Sequence, residues 1–241
     1  MDCQDKNDIA EVLCRRDGSK RARVRAIICT YSDHSGIWLK TLKKPAIHDD
    51  LSLTDLLRQV RACRHCEASL PLGPNPVLRA GEGARLLIVG QAPGTRVHAT
   101  GIPWNDPSGD RLRDWLVIDR ERFYDESRIA IIPMGFCYPG RGKSGDLPPP
   151  PDCAPLWHEP LLARLPALEL VLLVGSYAQA HYLGRSRETL AQRVRRWPEF
   201  GPRFFPLPHP SPRNTLWLRR NPWFEAEVIP ALRERVAPLL A

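Results

Sequence analysis

Four cysteines fall into two pairs whose spacing is suited to holding a metal. Cys63 and Cys66 form a C-x2-C pair at the end of a predicted helix, and Cys137 and Cys153 flank a Pro/Gly-rich loop with fifteen residues between them. Thiolate sulfur is the soft ligand that zinc and iron–sulfur centres both use. The spacing therefore predicts one four-thiolate centre that ties the loop to the helix, with four independent buried thiols as the alternative.

Polar side chains gather in two further stretches, each of which follows a predicted strand. The first, "GQAPGTRVHATGIPWNDPSGDRL", contains Gln91, His98 and Asp106, and the second, "HPSPRN", begins with His209. Open α/β sheets bind ligands at the carboxyl ends of their strands, so we expect these groups to face one crevice. Together with the flat ring of Trp104, they would suit a planar, partly polar ligand.

Arginines beside the second stretch could contact phosphate groups, and they are Arg213, Arg219 and Arg220. Several residues of the first stretch also have an ordinary structural explanation. These explanations are a solvated loop histidine at His98, a helix cap at Asp106 and a core residue at Trp104. Their combination at matching strand ends is what favours a binding site.

The composition allows either a nucleic-acid partner or simply a basic soluble protein, and it argues against a membrane span. The 241 residues carry a formal net charge of +8, and a basic surface attracts polyanions. No apolar run approaches the ~20 residues that span a bilayer, and the first residues have no apolar core of the signal-peptide type. We therefore expect a cytoplasmic protein, in which cysteines serve as ligands or core residues rather than as disulfides.

Residues 1–48 differ from the rest of the chain and are predicted to be an N-terminal extension of uncertain structure. In residues 49–241, apolar strands alternate with helices, which indicates a parallel sheet covered on both faces. The loop 138–152 is long and irregular, so a function or an external tie is expected for it. The predicted helices are 51–66, 108–118, 154–165, 176–184, 187–197 and 221–236, and the predicted strands are 85–90, 128–135, 168–175 and 203–210.

The motifs "GQAPG", "GIPW" and "HPSPRN", together with the four spaced cysteines, resemble the uracil-DNA glycosylase superfamily. The resemblance covers residues 51–241 and is closest to the iron–sulfur branch, families four and five. It implies a three-layer α/β/α sandwich around a central parallel sheet, with residues 49–241 as the catalytic domain. It also implies a structural [4Fe–4S] cluster on Cys63, Cys66, Cys137 and Cys153, for which zinc is the alternative.

The resemblance further implies that the protein flips a damaged base out of DNA and hydrolyses its N-glycosidic bond, as a monomer in base-excision repair. Uracil is the expected base, because flipping is easiest at a mispair such as the U·G product of cytosine deamination. His209 is expected at the O2 side of the leaving base, with Trp104 stacked on the base. Expected base contacts also come from Gly90, Ala92, Pro93 and Gly94, and DNA contacts from Ser211, Arg213, Asn214, Arg219, Arg141 and Lys143.

Two departures from the family-four pattern and one match to family five affect the expected roles. Position two of the first motif is Gln91, where family four has Glu, so Gln91 is expected to orient a water, with His98 nearby. Asp106 resembles the D-x-S-G acid of family five and is expected to position the attacking water and stabilise the sugar cation. Where family four reads uracil with an Asn, this chain has Pro133.

Because a proline has no side-chain amide, base selection is expected to use backbone groups near Met134 and Gly135. Two alternatives to uracil excision remain open. One is a glycosylase for another deaminated base, such as hypoxanthine. The other is a protein on the same scaffold that binds damaged DNA with little or no turnover.

Overall fold

The computed structural model describes residues 9–14, 22–27, 51–143 and 145–241. The chain divides into two units, Met1–Asp50 and Leu51–Ala241. In the first unit, strands β1 (Ile9–Cys14) and β2 (Ala22–Ile27) pair antiparallel. The rest of the predicted extension lies outside the described residues. Within the described ranges, the helices are too short or too polar for any of them to cross a membrane.

The second unit alternates helices and strands along the chain. Its helices are α1 (Leu53–Arg61), α2 (Thr95–Thr100), α3 (Pro107–Leu116), α4 (Arg120–Phe123), α5 (Cys153–Leu162), α6 (Ser176–Tyr182), α7 (Leu190–Arg195), α8 (Thr215–Arg220) and α9 (Ile229–Leu240). Its strands are β3 (Leu86–Val89), β4 (Ile129–Ile131), β5 (Arg141–Gly142), β6 (Gly145–Asp146), β7 (Leu170–Val174) and β8 (Phe204–Leu207).

Four of these strands form one parallel sheet in the order β4-β3-β7-β8. Leu86 of β3 lies opposite Ile129 of β4 on one side and Leu170 of β7 on the other, and β8 pairs with the free side of β7. Because all four strands run in the same direction, their carboxyl ends lie along one edge of the sheet. The two predicted polar stretches follow β3 and β8 and therefore both begin at that edge.

Alternation along the strands divides the apolar residues between two cores, one on each face. Leu86 and Ile88 point to the face that is covered by α3 and α9, where Trp115 and Leu232 are buried. Leu87 and Val89 point to the other face, which is covered by α1, α5 and α6. This arrangement confirms the predicted three-layer α/β/α sandwich.

The structure corrects the predicted bounds of several elements. The helix predicted to begin after Ser108 begins at Pro107, because the Asp106 carboxylate caps it and proline is favoured in a first turn. The closing helix consists of a π-helical turn, Phe224–Val228, followed by α9. The predicted irregular loop contains the short hairpin β5–β6, and α2, α4 and α8 were not predicted.

A buried histidine links α5 to the segment after β4. His158 is 2% exposed, and its Nε2 lies 2.9 Å from the carbonyl oxygen of Pro133. A carbonyl only accepts, so Nε2 carries the hydrogen and Nδ1 accepts the Tyr182 hydroxyl at 2.7 Å. Burial lowers the pKa of His158 to about 4, although the bond to Pro133 opposes that shift. His158 is therefore neutral at physiological pH.

We predict that this histidine makes the fold sensitive to mild acid. Because its folded pKa is about 4 and its unfolded value 6.5, the unfolded chain binds the proton first as the pH falls. The contribution of neutral His158 to the free energy of unfolding is fully present above pH 6.5. It falls by up to about 3 kcal/mol as the pH is lowered towards 4. Urea unfolding of the wild type and of His158→Gln across this range should show a steeper pH slope for the wild type. An NMR titration midpoint of His158 near 6.5 in the folded protein would contradict the prediction.

Candidate active site

A cleft lies at the carboxyl edge of the sheet, between the turns that follow β3 and β8. It encloses about 250 Å³. Its floor is apolar and its walls carry both acidic and basic side chains, so it suits a small planar ligand with polar edges. The lining residues are Val77, Gly90–Gly94, Val97, Pro103, Trp104, Asp106, Ser108, Ile131, Pro133, Asp146, His209, Ser211 and Arg213.

Trp104 forms one wall of the cleft and is also part of the core. Its side chain is only 8% exposed, and its ring centroid lies 5.6 Å from that of His209. A Cβ on residue 90 would lie 2.7 Å from Cζ2 of Trp104, so only glycine fits at that position of the turn. Trp104 has a positive φ of 56°, which is strained for a bulky residue, and Arg113 donates to its carbonyl at 3.4 Å. The indole is therefore held rigidly beside the cleft.

Asp106 serves both as a helix cap and as part of the cleft wall. Its Oδ1 accepts the N–H of Gly109 at 2.9 Å, at the start of α3. This bond fixes the carboxylate against the backbone, and the helix N-terminus favours its negative charge. Both the cap and the binding-site expectations for this residue are therefore consistent with its position.

His209 faces the cleft from the turn after β8 and is electrically neutral at pH 7. Burial lowers its pKa, and the charges of Asp106 and Asp146 oppose that shift. Asn214 donates to the backbone carbonyl of His209 at 2.8 Å and so holds the turn in place. A neutral imidazole in this position can donate one hydrogen bond to a ligand.

Three residues that were predicted to act in base contact or catalysis do not line the cleft. The N–H groups of Met134 and Gly135 donate to the carbonyls of Gly90 and Gln91, each at 2.9 Å, so these amides are not available to a ligand. His98 lies on α2 with its ring 6.3 Å from that of Tyr138, and its buried Nδ1 has no hydrogen-bond partner among the residues that the structure describes. The expected roles of these three residues in base contact or catalysis do not fit this placement.

The predicted DNA-contacting residues lie at and around the cleft rim. Ser211 and Arg213 line the cleft itself. Arg219 is exposed in the last turn of α8, and Arg141 and Lys143 are exposed on the β5–β6 hairpin. Asn214 supports the His209 turn and does not line the cleft.

The β5–β6 hairpin brings a second carboxylate, Asp146, to the cleft. The side chain of Gln91 donates through Nε2 to the carbonyl of Leu147 at 3.0 Å and so attaches the hairpin to the turn after β3. The Arg213 guanidinium packs directly against Gly145, where a Cβ would clash with it. Sequence reasoning missed Asp146, for which the only available indication was an acidic residue in the loop between two cysteines.

The four predicted cysteine ligands line one small cavity on the other side of this loop. Cys137 and Cys153 are each 6% exposed, and Cys63 and Cys66 are partly buried. All four thiols are free. In the described ranges, no three His, Cys, Asp or Glu side chains are arranged to bind a single metal ion.

Backbone groups and burial control the chemistry of these thiols. The N–H of Asn75 donates to the Cys137 sulfur, and the N–H of Phe136 donates to the Cys153 sulfur. The pKa of the Cys153 thiol is raised to about 12, chiefly by burial and to a smaller extent by the neighbouring sulfurs, while the Phe136 N–H opposes the rise. Backbone donors aimed at sulfur are typical of sites whose thiolates bind a cation.

A model of one protein family matches most of this unit. The family is described as the uracil DNA glycosylase superfamily, and the match covers residues 79–233. The matched segment contains every strand of the parallel sheet and both polar turns of the cleft. It includes Cys137 and Cys153 and begins after Cys63 and Cys66.

We predict that Gln91 acts chiefly by holding the hairpin. Gln91→Glu removes the donating amide and places a carboxylate against the Leu147 carbonyl. Since a hydrogen bond contributes about 0.5–1.5 kcal/mol, hydrogen exchange at the Leu147 amide should quicken about tenfold. The matched control is Gln192→Glu on α7, where an exposed Glu also suits the capping box. Unchanged exchange at Leu147 in Gln91→Glu would disprove the role of Gln91.

Proposed function

The chain belongs to the uracil DNA glycosylase superfamily, and we propose that it flips uracil out of DNA and hydrolyses the N-glycosidic bond. Members of this superfamily are glycosylase hydrolases that act on DNA. The observation that carries the proposal is the cleft, where a neutral His209, the Trp104 ring and the Asp106 carboxylate line one volume of about 250 Å³. That combination matches the needs of a flipped base and its sugar.

The reaction separates charge, and the cleft has a group for each charge. The C1′–N bond breaks with its electron pair on the base, which leaves positive character on the sugar. His209 donates a hydrogen bond to the departing base, a type of contact that contributes roughly 3–4 kcal/mol when it is preorganised. Asp106 faces the sugar, where its fixed negative charge stabilises the cation and helps to position the attacking water.

Binding of DNA combines stacking with phosphate contacts. Stacking of the flipped base on Trp104 would contribute about 1–3 kcal/mol. Ser211 and Arg213 at the rim would hold the DNA backbone, a contribution that is independent of sequence and weakened by salt. Arg219, Arg141 and Lys143 extend the same positive surface beyond the cleft.

The choice of base rests on groups other than an asparagine side chain. Pro133 lines the cleft, and its carbonyl already accepts from His158. The adjacent amides of Met134 and Gly135 are bonded to the turn after β3. Selection of the base therefore depends on the shape of the cleft and its polar side chains. Because no asparagine side chain reads the uracil edge, hypoxanthine is the alternative substrate.

We also propose that Cys63, Cys66, Cys137 and Cys153 hold a [4Fe–4S] cluster, as in the iron–sulfur branch. Tetrahedral zinc requires four sulfurs at about 2.3 Å from one point, whereas a cluster is held by four cysteines around its volume. The observation that supports a bound centre is that all four cysteine side chains line one cavity, and zinc is the alternative occupant. The cluster would supply a cross-link between the loop and the helix α1 region. Hydrolysis requires no electron transfer.

We predict that the purified protein makes abasic sites at uracil. End-labelled oligonucleotides with uracil, hypoxanthine or no lesion, single-stranded and paired, would be incubated with the protein under single-turnover conditions. Alkali would then break the strand wherever an abasic site had formed. Asp106→Ala and His209→Ala should each slow cleavage by about 100-fold or more while DNA binding is retained. Asp114→Ala on the exposed side of α3 is the matched control.

Each outcome of this experiment has a defined meaning. Breaks at hypoxanthine alone would keep the mechanism and change the substrate. A gel shift on damaged DNA without strand breaks would favour the alternative of a protein that binds damaged DNA with little or no turnover. Near-wild-type rates in both variants would show that the catalytic roles are misassigned.

We predict that the anaerobically purified protein contains iron and acid-labile sulfide in equal amounts. Cys137→Ser should lose iron, unfold at lower temperature and bind DNA more weakly, because the loop that carries Arg141 and Lys143 is no longer tied. Cys14→Ser, in the first unit, is the matched control and should keep its iron. A colourless protein with stoichiometric zinc would refute the cluster.

A further inference from the structure

Asp146 places a carboxylate at the wall of the cleft. It is exposed, and in the described part of the chain its side chain makes no hydrogen bond or ion pair. Its Oδ2 lies 3.6 Å from the position that a Cβ would occupy on Gly94, at the end of the turn after β3. It therefore lies beside the turn after β3.

Asp106 is already committed to a different contact. Its Oδ1 accepts the Gly109 N–H and its charge faces the start of α3. Protonation of Asp106 would weaken that cap, which typically contributes about 1 kcal/mol. Asp106 is therefore suited to remain a fixed negative charge, whereas protonation of Asp146 disrupts no bond.

We propose that Asp146 is the proton acceptor for the attacking water, while Asp106 remains ionised beside the sugar. This inference rests on the proposed glycosylase function and adds a catalytic residue to it. It divides between two carboxylates the work that Asp106 alone performs in the simpler mechanism.

The step balances without any further reactant. The water oxygen forms a bond to C1′ as the C1′–N bond breaks, and the electron pair of that bond leaves with the base. One water proton moves to the Asp146 carboxylate and then to solvent. The products are an abasic sugar and the free base, which takes up a proton from solvent.

The hairpin positions Asp146 through contacts at both of its ends. Gln91 holds the carbonyl of Leu147, the residue that follows Asp146, and the Leu147 N–H donates to Gly140 at 2.9 Å. On the other side, Gly145 packs against the guanidinium of Arg213. These contacts attach the carboxylate to both motif turns, so it is held in the cleft although its side chain is exposed.

Removal of Asp146 should affect DNA binding and the rate of cleavage differently. A carboxylate beside a phosphate-binding surface repels DNA, so its removal should leave affinity unchanged or improve it. If it also accepts the water proton, its removal should slow the chemical step by about 100-fold, at the lower end of general acid–base contributions. A purely structural role in holding the hairpin would not produce this split.

The test is single-turnover cleavage of uracil DNA by Asp146→Ala and Asp146→Asn, with binding measured in parallel. Both variants should be about 100-fold slower with equal or tighter DNA binding, and Asp114→Asn should match the wild type. Because Asp146 is exposed, formate should reach the vacated position in Asp146→Ala and restore the rate at least tenfold. Potassium chloride at the same ionic strength should not restore the rate. Formate should not rescue Asp146→Asn, because the amide of that variant fills the space.

If the wild type is active, either of two results would overturn the role of Asp146 and leave the proposed function intact. One is an Asp146→Ala rate within twofold of the wild type. The other is a slow Asp146→Ala that formate does not restore, which would indicate a role in holding the hairpin. A wild type that cleaves no lesion in any oligonucleotide would instead refute the proposed function, and this inference with it.

Discussion

The pairing of β3 with β4 continues past the ends of both strands, and the cleft depends on this continuation. The carbonyls of Gly90 and Gln91 accept the N–H groups of Met134 and Gly135 at 2.9 Å. The two segments that form the cleft floor are thereby fixed to each other as an extension of the sheet. The same bonds occupy the amides of Met134 and Gly135, so recognition of a ligand falls to the other groups that line the cleft.

Side chains around the cleft are anchored by bonds to backbone groups, which favours a preorganised site. Asp106 accepts from Gly109, Asn214 donates to the His209 carbonyl, and Arg113 donates to the Trp104 carbonyl. Behind the floor, the neutral His158 bonds to the Pro133 carbonyl. A group that is already oriented does not need to reorganise when charge develops, and this is the main source of electrostatic stabilisation in enzymes.

The loop between Cys137 and Cys153 connects the cleft to the cysteine cavity. Its flanking cysteines line the cavity, and its hairpin brings Asp146 to the cleft. Helix α5 provides a second connection, because it begins at Cys153 and carries His158 to the segment after β4. A metal centre bound by the cysteines would therefore stiffen both the hairpin and the cleft floor. The cysteines themselves do not line the cleft.

The sequence by itself determined the sandwich and the meeting of the two polar turns. Apolar strands that alternate with helices report burial on both faces, and parallel strands must end at one edge, so Asp106, Trp104 and His209 were expected together. Only the tertiary structure decided that the amides of Met134 and Gly135 bond to the turn after β3, and that Gln91 holds a hairpin 56 residues away. It also placed Asp146 in the cleft. These outcomes depend on which distant backbone groups meet, and no local pattern of residue types encodes such a contact.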